Sequence, residues 1–348
     1  MRVLVTGSRG YVGSVLVRLL LEEGYDVHGL DADFFRDCTF TGSLVDIPTR
    51  VKDIRDVTLD DLAGFDAICH LAGLSNDPLG DYKPELTGSI NHSAAVHIAT
   101  LAKQARVGRF LFASSCSNYG AAGDDFLTET AAFNPVTPYG KSKVAVERDL
   151  TTMADDSFTP VFLRGSTAYG VSPRIRFDLV LNNLVAWAYT TGRIFMKSDG
   201  TPWRPLVHVE DLARSYVAAL AAPREAVHAE GFNVGTTAEN YRIRELAEIV
   251  ADVVPGCEVT FAEGAGPDKR CYRVDCNKIA RVLPGFKPQW TARRGAEQLI
   301  AAYRERGLTA EEFEGPRFSR IAHVKQLVAQ GRMTPELLWR NGSVGAAA

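Results

Sequence analysis

The sequence predicts an α/β protein, a doubly wound parallel sheet followed by a smaller mixed α/β domain. Three observations carry this. Strand-like apolar runs alternate with helical periodicity over the first 165 residues, a pattern that puts parallel strands in the middle and helices on both faces. The alternation breaks near residues 171–173 and a mixture of helix, short strands and turns follows. The chain has 348 residues, long for one core and suited to two packed domains.

Taken in order, strands are expected at 3–5, 27–30, 67–71, 110–113 and 160–163, with helices at 12–21 and 93–103. A helix follows at 179–190. Phe232-Asn233-Val234-Gly235 reads as a late strand returning to the main sheet, and 242–253 as an amphipathic helix. The expected domains are 1–172, to which 204–235 returns, and 173–203 with 236–348. Residues 309–340 form a helical extension of the second, and 341–348 a frayed tail.

Apolar residues make up 46% of the chain and charged residues 23%, which suits a water-soluble globular fold. The net charge of −3 gives no general attraction to nucleic acid or an acidic membrane, so an anionic ligand must be held by local arginines. No apolar run approaches a membrane span, and opening directly on a strand argues against a signal peptide. Cys38, Cys69, Cys116, Cys257, Cys271 and Cys276 lack metal-like spacing. Reduced thiols in a cytoplasmic protein, with no metal site, are the expectation.

Thr6-Gly7-Ser8-Arg9-Gly10-Tyr11-Val12-Gly13 lies between the first strand and the first helix. Gly7, Gly10 and Gly13 let the backbone turn tightly and approach a pyrophosphate, whose charge meets the amides of the helix N-terminus. Arg9, Tyr11 and Val12 are grouped with them as cofactor contacts in a Rossmann-like domain. Asp31 follows Gly13 by 18 residues, where a carboxylate grips ribose hydroxyls and repels a 2′-phosphate. This favours NAD over NADP, although Arg9 and Arg36 are the residue type that welcomes such a phosphate.

Tyr139-Gly140-Lys141-Ser142-Lys143 puts Tyr139 and Lys143 four residues apart, on one face of a helix that Pro138 begins. A nearby ammonium stabilises a tyrosinate and suits the pair to proton transfer near neutral pH. Ser114-Ser115-Cys116-Ser117 follows the strand Phe110-Leu111-Phe112-Ala113, placing a hydroxyl beside the tyrosine.

With these residues the chain resembles the extended short-chain dehydrogenase/reductases, the family of sugar-nucleotide epimerases and dehydratases. The matches continue through Asp53-Ile54-Arg55-Asp56, His70-Leu71-Ala72-Gly73, Asn91, Leu163-Arg164, Tyr169-Gly170, Arg204-Pro205-Leu206-Val207-His208-Val209-Glu210-Asp211 and Phe232-Asn233-Val234-Gly235, over about the first 300 residues. The resemblance implies Ser115, Tyr139 and Lys143 as the catalytic triad, with Lys143 also holding the nicotinamide ribose. It implies Asp53 and Ile54 at the adenine, Leu71, Ala72 and Gly73 along the cofactor's ribose and phosphates, and Asn91 supporting the neighbouring helix. Ala113 and Ser114 join the cofactor contacts. It also implies a homodimer through helices around 91–103 and 139–150.

The two positions after Ser115 are Cys116 and Ser117, where the resembling 4,6-dehydratases carry an acid and the decarboxylases commonly a Glu. Epimerisation at C4 through a transient 4-keto sugar is therefore the first reading. A nucleotide-sugar oxidoreductase, an atypical dehydratase, a 3,5-epimerase using a cysteine near Cys116, and a non-catalytic NAD-binding regulator are the alternatives. For the nucleotide-sugar diphosphate the resemblance implies Arg204, in Gly200-Thr201-Pro202-Trp203-Arg204, and Arg270; Arg suits this because its planar fork meets phosphate bidentately. Ser75, Asp77, Ser115, Cys116, Ser117, Tyr139 and Asn182 complete the expected substrate contacts.

Overall fold

The computed structural model describes residues 1–75, 82–196, 198–262 and 271–340, with the side chain of Ala122 left aside. Its strands are β1 (Arg2–Thr6), β2 (Asp26–Asp31), β3 (Thr49–Val51), β4 (Ala67–His70), β5 (Arg109–Ser115), β6 (Ala121–Leu127) and β7 (Thr159–Gly165). These are followed by β8 (Thr167–Tyr169), β9 (Arg193–Met196), β10 (Trp203–His208), β11 (Gly231–Val234), β12 (Asn240–Arg242), β13 (Glu258–Phe261) and β14 (Cys271–Val274).

Seven strands form one parallel sheet in the order β11-β7-β5-β4-β1-β2-β3. Alternate side chains serve opposite faces. On β5, Leu111 joins the apolar cluster containing Leu16, Leu20 and Tyr216. Its neighbours Phe110 and Phe112 join the cluster containing Ile98, Val146 and Leu150. Helices Tyr11–Glu22 and Val209–Ala221 therefore cover one face, and Ala94–Gln104 and Pro138–Met153 the other. Among the described residues no helix is long and apolar enough to cross a membrane.

The smaller body is built around the buried faces of helices Val180–Thr191, Ile243–Val253 and Ala292–Arg306. Two findings differ from the expected division. Within 204–235, β11 lies beside β7 in the main sheet, whereas β10 pairs with β8 and β12 in a separate three-stranded sheet. The segment after residue 319 also departs from 236–348 as a single body. Val324, Leu327, Met333 and Leu337 are buried with Leu30, Ile54 and Ile90, against the first domain. An amphipathic helix buries its apolar side wherever the chain delivers it, and this one is delivered back to the main sheet.

Candidate functional site

At the carboxyl ends of the parallel strands, where the order reverses between β1 and β4, lies a cavity of about 670 Å³. Crevices at such switch points are where open α/β sheets bind ligands. Gly7, Gly10, Tyr11, Val12, Asp31, Asp53, Ile54, Leu71, Ala72, Gly73, Ala113, Ser114, Ser115, Tyr139 and Lys143 all line it.

Gly7 has a left-handed backbone with φ 73°, and a Cβ there would stand 2.8 Å from the Ala72 amide nitrogen. A Cβ on Gly13 would stand 2.0 Å from the Gly7 carbonyl oxygen. The loop is thus packed tightly on the first helix. Within that helix the first bond runs from Ser14 N to Gly10 O, 3.1 Å. The amides of Tyr11, Val12 and Gly13 precede it at the positive end of the dipole, where an anion is favoured. Asp31 is fixed by amides, accepting from Arg9 N at 2.8 Å and Asp33 N at 2.7 Å. Burial raises its pKa, with the two amides and Arg9 opposing. A carboxylate has about four acceptor positions, so two hydroxyls remain within its capacity. This donor set fits a dinucleotide lacking a 2′-phosphate. The arginines noted in the sequence are engaged elsewhere. Arg9 Nη1 pairs with Asp33 at 2.5 Å, and the Arg36 guanidinium lies 4.7 Å from the Trp339 ring centre.

Asn91 does not line the cavity; it shapes it. It sits in a π-helical turn, Gly88–Ser93, such turns being frequent at functional sites. Its Oδ1 accepts from Leu74 N at 2.7 Å and its Nδ2 donates to Leu74 O at 3.0 Å, which holds the cavity-lining loop after β4.

Farther along the cavity, Thr137 caps helix Pro138–Met153, its Oγ1 accepting from Gly140 N at 3.1 Å, so Tyr139 stands in the first turn and Lys143 one turn later. The Lys143 ammonium is 5.4 Å from the Tyr139 ring centre and 4.6 Å from that of Phe112. Burial pushes its pKa down to about 8, against the pull of Glu147. Ser115 Oγ accepts from Ser117 N (3.1 Å) and from the Ser117 hydroxyl (2.9 Å), leaving its own O–H to donate. Behind Ser115, Tyr139 and Lys143, Glu147 accepts from Ser114 Oγ, from Asn118 Nδ2 at 3.1 Å and from Arg164 Nη2 at 2.7 Å. The buried Glu147–Arg164 pair ties the Tyr139–Lys143 helix to β5 and β7.

Several expected site residues are placed otherwise. Cys116 is fully buried and turns from the cavity, its thiol donating to Arg164 O at 3.1 Å; burial pushes its pKa up to about 12. The reason is local: residues Cys116–Tyr119 form a 3₁₀ turn, which sends neighbours of Ser115 to opposite sides. Asn182 is also fully buried and does not line the cavity. It accepts from Gly170 N and donates to Arg176 O, both at 2.9 Å, bracing the crossover between the domains. Arg9 is an ion-pair partner beside the cavity rather than in its lining. Ser75, Ser117 and the buried Arg204 do line it. Asp77 and Arg270 lie outside the described residues.

The sequence reading misses Phe34, Phe35, Arg176, Asp178, Tyr216, Tyr272 and Arg320, which also line the cavity. Arg176 and Asp178 lie in 172–178, which stands where the resembling family usually contacts the nucleotide but aligns with no motif of it, and Arg320 lies in the C-terminal extension, where only its charged residue type could have drawn notice. Among the described residues no group of three or more His, Cys, Asp or Glu side chains is placed to hold a metal.

A model of the family described as "NAD dependent epimerase/dehydratase family" matches residues 3–235. UDP-glucose 4-epimerase of Bacillus subtilis (strain 168) is 29% identical over 343 residues, covering 86% of this chain and 95% of that protein. Among solved structures, MoeE5 in complex with UDP-glucuronic acid and NAD matches with a TM-score of 0.76 and 27% identity, over 88% of this chain and 99% of that one. The dTDP-glucose 4,6-dehydratase DesIV of Streptomyces venezuelae, with NAD and TYD bound, matches with 0.77 and 27%, over 89% and 99%. The fold is equally close to these two structures, so the reaction must be read from side chains.

Proposed function

The chain belongs to the NAD-dependent epimerase/dehydratase family, and on that premise we propose that it is a nucleotide-sugar epimerase acting at C4. The observation that supports this most is the distribution of acids around the cavity. Among the described lining residues the carboxylates are Asp31 and Asp53, at the adenosine end, and Asp178, which pairs with Arg176 at 2.6 Å. Where a dehydratase needs an acid after Ser115, the chain offers a thiol turned into the core and the Ser117 hydroxyl.

In this reading the glycine loop and Asp31 hold the cofactor, and Leu71, Ala72, Gly73, Ala113 and Ser114 line its path. Tyr139 takes the proton from the C4 hydroxyl and later returns one. Lys143 stabilises the phenolate in between, and the Ser115 hydroxyl donates to the reacting oxygen. Bound in this cavity, NAD would supply a reversible hydride acceptor for C4, and a 4-keto sugar held by its diphosphate would be free to turn before the hydride is returned. Arg204 holds the diphosphate by its charge, which leaves the sugar free to rotate. The six cysteines, all unbridged, support a cytoplasmic location. A homodimer through helices Ala94–Gln104 and Pro138–Met153 extends the same reading, and light scattering measures it.

Incubation with a panel of nucleotide sugars, products resolved by chromatography and NMR, tests the activity. The expected product is the C4 epimer without accumulation of NADH. Net absorbance at the NADH band, or a 4-keto-6-deoxy product, would replace the reading with a dehydrogenase or a dehydratase. Tyr139→Phe should lower turnover at least ~100-fold, the low end of general-base contributions, while NAD still binds. Activity surviving in that variant would mean another base.

A further inference from the structure

Two turns form the adenosine end of the cavity: residues 32–35, after β2, and Asp53-Ile54-Arg55. The C-terminal segment 320–340 is bonded to both. Trp339 Nε1 donates to Ala32 O at 2.6 Å, and His323 Nε2 meets Phe34 O at 3.1 Å. Arg55, which grips Asp53 at 2.7 Å, also donates to Glu336 O (2.9 Å) and Leu337 O (3.1 Å). Opening this end requires breaking the contacts of one segment.

That segment also puts a charge into the cavity. Arg320 begins helix Arg320–Ala329, is 8% exposed and lines the cavity. Its guanidinium lies 3.8 Å from the Phe35 ring centre and donates to Arg174 O at 3.0 Å. Among the described residues no carboxylate comes within ion-pair distance of it; two more arginines, Arg174 and Arg176, lie nearby, paired with Asp33 at 3.7 Å and Asp178 at 2.6 Å, and Asp178 and the Cys38 thiol act on Arg320 as opposing charges from farther off. A buried cation with no carboxylate paired directly to it is costly unless a ligand supplies that contact.

We propose that Arg320 is a cofactor-binding residue, delivered by the C-terminal segment to meet the diphosphate of NAD. The diphosphate is the anionic group of that dinucleotide, and the contact with Phe35, in the turn after β2, puts Arg320 on the adenosine side. Burial and the neighbouring Arg176 and Arg174 push the Arg320 pKa down to about 10, with Cys38 and Asp178 opposing. The nucleotide sugar carries the same diphosphate chemistry, so the test separates the two sources.

NAD affinity of the stripped enzyme and UDP affinity of the NAD-loaded enzyme are measured by calorimetry for wild type, Arg320→Met and Arg320→Lys. Loss of a charge-assisted bond weakens binding ~10- to 100-fold. Arg320→Met should lose NAD affinity by that factor and flatten its salt dependence, with UDP affinity within twofold of wild type. Arg320→Lys should recover part of the loss. The stripped Met variant should melt no lower than wild type, since it no longer buries an unpaired charge. NAD affinity within twofold of wild type in the Met variant, or a fall in UDP affinity instead, overturns the proposal without touching the assignment of Tyr139 or of the C4 reaction.

Discussion

Lys143 is 4% exposed, and the burial that the proposed mechanism puts to use costs stability. A folded-state pKa of about 8, against an ordinary value near 10.5, means that folding disfavours the charged form. The unfolded chain then binds more protons than the folded one between these two values, so stability rises with pH across that window. Below pH 8 the penalty is fully present. Lys143→Met, measured on NAD-free protein by urea unfolding, should therefore be more stable than wild type at pH 7, by roughly 1–3 kcal/mol. The margin should shrink as pH climbs from 8 toward 10.5. Turnover should fall at least ~100-fold in the same variant, because the phenolate loses its neighbouring cation. A Met variant less stable than wild type at pH 7 would mean that the ammonium's packing on Phe112 outweighs its desolvation.

The glycine loop shows how far an element can be read from residue types. A Cβ on Gly13 would meet the Gly7 carbonyl oxygen at 2.0 Å, so Gly13→Ala must push the loop off the helix. NAD affinity should drop ~100-fold or more, seen by titration, with far-UV circular dichroism unchanged; binding within threefold of wild type would show that the close approach is dispensable. The strands and helices of the first domain were legible because apolar runs and helical periodicity follow directly from burial. The expected helix at 12–21 lies within the observed Tyr11–Glu22, and the one expected at 179–190 is offset by one residue from Val180–Thr191. Side-chain direction at turns was less legible. Cys116 adjoins Ser115 in the chain, yet the 3₁₀ turn sends it into the core, while Asn182 uses its polar atoms to brace a crossover. Arg320 was illegible for another reason: helical periodicity reveals an apolar side but not the body that will cover it.

The path of the whole chain closes each domain with pieces of the other. Phe40, from the loop after β2, packs in the small domain against Phe177, Tyr303 and Phe318, and its amide bonds Pro173 O at 2.8 Å. Tyr11 Oη, on the glycine-loop helix, donates to Gly170 O at 2.9 Å, and Ser14 Oγ meets Ser172 Oγ at 3.1 Å. The C-terminal helix then leaves the small domain to complete the apolar cluster around Leu30 and Ile54. Neither core is finished by its own segment of chain, so the two halves should unfold together, in one calorimetric transition. In the proposed reading NAD is held mainly by the first domain, yet it should move that whole transition. At a free concentration of ~100 Kd a ligand adds about 2.7 kcal/mol. An unfolding entropy of about 2.1 cal/mol/K per residue, over 348 residues, converts this to an upward shift of roughly 4 °C. Two resolved transitions, of which NAD shifts only one, would show instead that the interlocking contacts are too weak to couple the domains.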